Sequence, residues 1–170
     1  IVTRTMNGYD GAAPSGNSVA VLTLLRLARL TGDATMTETA TNVLRRFHNL
    51  LGSYPSGFAL MLAGLDYLLH PGTELVLFLP DSASEREFLA MLRRHPDPFR
   101  TTVVVRGKKP SERELELVPL LRGRSAPDGR PTAYLCRNGT CRPAVQAVDE
   151  LEKLLETAGS LDTETAGNRL

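Results

Sequence analysis

Leu75-Val76-Leu77-Phe78-Leu79 is a continuous apolar run closed by Pro80-Asp81. So short a run, ended by turn formers, predicts a strand covered on both faces. It decides the fold because it separates a helical stretch before it from alternating strands and helices after it. Downstream, Ser82-x-x-Glu85 has the form of a capping box for a helix through Phe88, Leu89, Met91 and Leu92 to Arg94. Thr101-Thr-Val-Val-Val105 is β-branched and predicts a second strand. Ser111-x-x-Glu114 opens a helix with Leu115, Leu117 and Val118, disturbed at Pro119. Arg122 to Arg130 is a polar loop. Thr132-Ala-Tyr-Leu-Cys136 predicts a third strand, and Val145 to Leu155 a final amphipathic helix. This order predicts a small three-stranded, mostly parallel sheet flanked by helices, because parallel crossovers need helices between the strands.

Upstream, the period changes to that of helices. Val19 to Leu30 is apolar except for Thr23, Arg26 and Arg29, which fall on one narrow stripe. Such a helix is expected to be buried nearly all round and to end at Gly32. Thr35-x-x-Glu38 starts a second helix, whose Met36, Ala40, Val43, Leu44, Phe47, Leu50 and Leu51 form one apolar side closed by Gly52. Pro55 suits the first turn of a third helix, almost wholly apolar from Phe58 to Leu69 and stopped by Pro71-Gly72. Buried, amphipathic, buried is the order of a double-layered α/α barrel or solenoid near its end. A plain helical bundle has the same order. The expected organisation is therefore helices over 1–72, an α/β domain over 73–158 and a flexible polar tail over 159–170.

Composition narrows the function classes. The 170 residues carry 20 Lys and Arg against 19 Asp and Glu, a net charge of +1. That balance argues against a strongly basic nucleic-acid binder and against an acidic disordered tail. Aromatics make up 5% and Trp is absent, so a base-stacking platform is not expected. No apolar run approaches the ~18 residues of a membrane span. No charged-then-apolar leader is visible, so a cytoplasmic setting is expected. The chain begins at Ile1, and Ile1–Asn7 reads as mid-protein sequence, so it is expected to be a fragment of a longer chain.

Three places could carry chemistry. The loops after the first two predicted strands, Pro80–Ser84 and Arg106–Ser111, hold no phosphate-binding glycine motif. Lys108 and Lys109 could hold an anion there or be a solvated turn, and no cofactor is expected. Cys136-Arg-Asn-Gly-Thr-Cys141 contains Asn138-Gly139, the preferred pair for a two-residue hairpin. The turn sets Cys136 opposite Cys141 as a non-hydrogen-bonded pair with Cα atoms about 4.5 Å apart. Two reduced thiols, a redox-active disulfide and half a zinc site all remain open, although His48, His70 and His95 lie on unrelated segments. Finally, Tyr9-Asp-Gly-Ala-Ala-Pro-Ser-Gly-Asn-Ser18 places Asp10, Ser15, Asn17 and Ser18 before a buried helix. These residues either cap the helix or form the polar floor of a pocket. In a pocket, Asp10 would be a general acid or base or would bind a sugar hydroxyl.

Three strings together carry a resemblance: Tyr9-Asp-Gly-Ala-Ala-Pro-Ser-Gly-Asn-Ser-Val19, Leu24-Leu-Arg-Leu-Ala-Arg-Leu-Thr-Gly-Asp33 and Ala133-Tyr-Leu-Cys-Arg-Asn-Gly-Thr-Cys141. In this order they resemble the C-terminal part of the thioredoxin-domain-containing YyaL / spermatogenesis-associated protein 20 family, over about residues 9–156. The resemblance implies an N-terminal thioredoxin-like domain and further barrel helices elsewhere in the same chain. It implies that the helices before residue 72 are closing helices of a six-hairpin α/α barrel, similar to glycosidases and N-acylglucosamine 2-epimerases. It makes Asp10 a candidate catalytic residue, with Tyr9, Ser15 and Asn17 as candidate substrate-binding residues for a carbohydrate ligand. Two readings follow. One is part of a carbohydrate-processing barrel enzyme, inactive as a fragment. The other is a non-catalytic scaffold or interaction module in which Cys136 and Cys141 form a redox latch. Neither nucleic acid, membrane nor metal is an expected partner.

Overall fold

A computed structural model of the chain describes residues 6–70, 72–137 and 139–167. It is a mixed α/β structure in two compact units: Ile1–Pro71 with Leu117–Pro119, and Gly72–Glu116 with Leu120–Leu170. The helical unit holds α1 (Gly16–Thr31), α2 (Ala34–Ser53), a short 3-10 turn (Pro55–Phe58) and α3 (Ala59–Leu69). The second unit holds β1 (Glu74–Phe78), α4 (Ser82–Arg94), β2 (Thr101–Val105), α5 (Glu112–Leu117, running into the boundary), β3 (Thr132–Arg137), β4 (Thr140–Cys141) and α6 (Val148–Gly167).

The helical unit is built around Val21, Leu25, Leu44, Phe47, Phe58, Met61 and Tyr67, all buried. Gly32 ends α1 in the left-handed conformation at φ 72°, its N–H bonded to Ala28 O. The start of α2 differs from the expected Thr35 box. Asp33 is the cap, its carboxylate accepting from Thr35 N–H, because an Asx cap two residues earlier satisfies the same orphan donors. Gly52 does not close α2, which runs on to Ser53. Nor is α1 buried all round: Ser18, Val21, Leu25 and Ala28 face inward, while Val19 and Leu27 are exposed. Two neighbouring helices cover one side of a helix, not its whole circumference. α1 and α3 approach closely at Gly64, where a Cβ would stand 2.7 Å from Val21 Cγ1.

The sheet corrects the expected topology. Among the described residues it has four strands in the order β2-β1-β3-β4, not three. β1 pairs with β2 in parallel, but with β3 antiparallel, and β3 pairs antiparallel with β4. The sheet is thus mixed rather than mostly parallel. The reason lies between β2 and β3. A parallel return needs a crossover element packed on the sheet, and α5 is six residues long with none buried. Without that crossover the chain returns in the opposite direction.

Alternation within the strands sorts the core. Leu75, Leu77 and Leu79 of β1 and its extension join Ala133 and Leu135 on one face, against Phe88 and Met91 of α4 and Leu151 and Leu155 of α6. On the other face Val76 is registered opposite Tyr134, and Phe78 meets the Tyr134 ring edge-on at 6.0 Å. α4 is capped by Asp81, whose carboxylate accepts from Ala83 and Ser84 N–H, rather than by Ser82. The Ser111–Glu114 box forms as expected: Ser111 N–H donates to Glu114 Oε2 at 2.7 Å, and Glu114 N–H to Ser111 Oγ at 3.3 Å. The last helix is displaced. Val145 is taken by a β-bridge to Ala133, so α6 begins at Val148. It continues to Gly167, past the expected end at Leu155 and into the segment read as a tail. Among the described residues no helix is long and apolar enough to cross a membrane.

Candidate functional site

Each unit gathers one cluster of the residues singled out in the sequence. In the helical unit, Tyr9, Asp10, Ser15 and Asn17 converge at the start of α1. Ser15 is the N-cap: its Oγ accepts from Ser18 N–H at 3.0 Å and lies 2.8 Å from Ser18 Oγ. Asn17 Nδ2 donates to Asn7 O at 2.6 Å, folding the leading segment back onto the helix. Tyr9 is half exposed and stacks on Tyr54, with ring centroids 6.4 Å apart and planes within 4°.

Asp10 ties two helix starts together. Its Oδ1 accepts from Ser15 N–H at 2.8 Å, and its Oδ2 from Leu60 N–H at 2.9 Å and Met61 N–H at 3.2 Å. Its own N–H donates to Gly57 O at 2.7 Å. Burial pushes the carboxyl pKa up. The bonds from Ser15 N–H, the Ser18 hydroxyl, Met61 N–H and Leu60 N–H outweigh burial and hold it below the ordinary carboxylate value. A carboxylate offers about four acceptor positions, and this set of donors occupies them. The arrangement keeps Asp10 ionised and immobile. That suits an anchor for α1 and α3, whose N-terminal N–H groups need acceptors.

In the α/β unit, Cys136 and Cys141 are joined by a disulfide across β3 and β4, with Cα atoms 3.9 Å apart. They stand directly opposite in register, as do Arg137 and Thr140. Of the expected Asn138-Gly139 turn, Gly139 has the required positive φ of 76°; Asn138 lies outside the described residues. The two sulfurs are unlike. Cys136 is 2% exposed, while Cys141 lies on the exposed strand β4.

Arg124, in the polar loop before β3, sits against both sulfurs. Its Nη2 is 3.0 Å from Cys141 Sγ and 3.1 Å from Cys136 Sγ. Its Nη1 donates to Leu120 O, and its guanidinium carbon lies 6.0 Å from the Tyr134 ring centroid. Tyr134 Oη donates to Ser125 O at 2.7 Å and fastens the loop to the sheet. No period or motif marks Arg124. The usable signal is its place in a loop that must cover the face bearing Tyr134 and Cys136.

The remaining candidates stay apart. Among the described residues no three His, Cys, Asp or Glu side chains are placed to hold a metal, so the cysteines gain no zinc partners from His48, His70 or His95. Lys108 is folded against Gly129, and Lys108 O accepts from Ala126 N–H. A feature not expected from sequence is a cleft of about 430 Å³ beside His95, lined also by Thr73, Arg94, Asp97, Arg100 and Leu155. There His95 Nε2 lies 2.7 Å from Glu152 Oε1, which joins α6 to the end of α4. The His95 and Arg94 bonds hold the Glu152 carboxyl below its ordinary range.

Comparison with known proteins finds a distant likeness. No family model matches the chain, and no solved structure matches it. Human spermatogenesis-associated protein 20 is 25% identical over 152 residues, covering 89% of this chain. The rat protein of that name is 26% identical over 153 residues, again 89% of this chain. The chain spans 19% of the length of each of these relatives. The likeness supports a relation between this chain and the spermatogenesis-associated protein 20 family.

Proposed function

We propose that the chain works as a non-catalytic module within a longer, cytoplasmic, thioredoxin-domain-containing protein, and that Cys136 and Cys141 act in it as a reversible redox latch. The carrying observation is the disulfide itself, with one sulfur buried, one exposed and a single guanidinium touching both. A cytosol keeps ordinary thiols reduced, so a pair prearranged to close there is suited to sensing rather than to permanent bracing. The family likeness and the 19% share of the relatives' length support placement within a larger chain. The apolar Val19 and Leu27, exposed on α1, suit further helices of an α/α barrel packing on this side.

We assign Asp10, Ser15 and Asn17 to anchoring rather than to carbohydrate chemistry. A general acid needs a raised pKa and a free oxygen facing substrate, and Asp10 has its carboxylate engaged by backbone donors.

Differential alkylation followed by mass spectrometry tests the latch. The chain is held in glutathione buffers of graded potential, quenched in acid and alkylated. The expected outcome is a reversible two-electron step, with both cysteines changing together. Two thiols that stay alkylatable at every potential would overturn the latch.

A further inference from the structure

We propose that the Cys136–Cys141 bond exchanges with low-molecular-weight thiols in one direction. Cys141 is the sulfur attacked, Cys136 is the leaving sulfur, and Arg124 holds the thiolate that leaves. This rests on the reading of the pair as a reversible couple, and it adds the direction of attack and the residue that receives the leaving thiolate.

Direction follows from access. An incoming thiolate must approach a sulfur along the S–S axis, and Cys141 is the exposed member while Cys136 is 2% exposed. The leaving thiolate is then the buried one, where burial disfavours charge and raises the thiol pKa. A poor leaving group would stall the exchange. Arg124 Nη2, 3.1 Å from Cys136 Sγ, supplies the compensating charge. It is in place before the bond breaks, because Nη1 is bound to Leu120 O and the next residue is bound to Tyr134. Arg124 therefore acts as a positioning residue through the sulfur it contacts.

The exchange balances in two steps. A thiolate RS⁻ attacks Cys141 Sγ, the new S–S bond forms, the Cys136–Cys141 bond breaks, and its electron pair leaves on Cys136. A second RS⁻ attacks the external sulfur of the mixed disulfide, releasing Cys141 thiolate and RSSR. Two thiols are oxidised, the protein disulfide is reduced by two electrons, and each protein thiolate takes a proton from solvent according to pH.

The experiment follows reduction of the oxidised full chain by glutathione, with rates expressed per thiolate. In parallel, Cys136→Ser and Cys141→Ser are exposed to oxidised glutathione. Cys141 is expected to glutathionylate at least about 10-fold faster than Cys136. Arg124→Gln is expected to slow reduction by glutathione about 3-fold, the effect of roughly one unit in leaving-group pKa at a Brønsted slope near one half. Arg124→Lys is expected to recover most of that rate, which separates charge from a merely structural role. Preferential modification of Cys136 or an unchanged rate in Arg124→Gln would each overturn the inference. Those results would leave the latch itself standing, whereas a chain that forms no disulfide removes the latch first.

Discussion

The Asp10 carboxylate holds the first turn of α3, its Oδ2 lying 2.9 Å from the backbone nitrogen of Leu60, fifty residues further along the chain. The same side chain accepts from Ser15 N–H through its other oxygen. One residue thus sets the relative placement of two helix starts.

Asp10→Asn keeps the shape but loses the charge and turns one acceptor into a donor facing backbone N–H groups. The expected cost is about 2 kcal/mol, the range for hydrogen bonds to an ionised group. Amide hydrogen exchange is the direct check: Ser15, Leu60 and Met61 should exchange faster, while amides of β1 and β3 keep their protection. Unchanged exchange at Leu60 would show that Asp10 anchors nothing.

The same bonds make the helical unit sensitive to acid. The folded pKa of Asp10 lies below its ordinary value of 3.8, so its contribution is fully present above that value. As pH falls through the lower folded pKa, the contribution is lost. The stability difference between wild type and Asp10→Asn should therefore be constant near neutrality and shrink below about pH 4. Urea denaturation at a series of pH values measures it, and a difference that grows on acidification would contradict the assignment.

Gly64 is required where α1 and α3 meet. A methyl group there would press on Val21 Cγ1, and Val21 is fully buried. Gly64→Ala should destabilise by about 1–2 kcal/mol, overpacking exceeding the gain in helix propensity. Val21→Ala in the same chain should recover part of that loss, giving a favourable coupling in a double-mutant cycle. Simple additivity would mean that the two positions do not touch.

Reducing the disulfide should cost little. The closed loop spans six residues, with a sequence separation of 5. Loop-closure entropy for so short a ring gives about 2 kcal/mol at most. The expected result is a small downward shift in the midpoint of the α/β unit, with its circular dichroism unchanged. Loss of folded structure on reduction would make the bond a brace rather than a latch.

Much of this architecture can be read from local chemistry. Ser15, Gly32, the Ser111–Glu114 box and the β-branched run at Thr101 act within a few residues, and each appears where its spacing places it. The direction of β3 was not readable, because Thr132–Cys136 has the same alternation whichever way it runs. Only the length of the element before it decides, and α5 proved too short to cross over. A structural role at the start of α1 was one of two readings open for Asp10, and its bonds to Leu60 and Met61 depend on tertiary placement. The opposition of Cys136 and Cys141 followed from the Asn-Gly turn, while Arg124 carried no pattern.

β2 lies at the end of the sheet order, with β1 on one side and no ladder partner on the other among the described residues. Its five residues, Thr101–Val105, are all β-branched and uncharged. Such a strand is a template on which a second chain could nucleate cross-β association. Arg100 and Arg106 bracket it, and Arg106 is fixed by a two-pronged bond to Glu85. Charged residues at both ends of an uncharged strand are the gatekeeper pattern that disfavours stacking of copies along an edge. Replacing them should shorten the time the protein remains clear in concentrated solution.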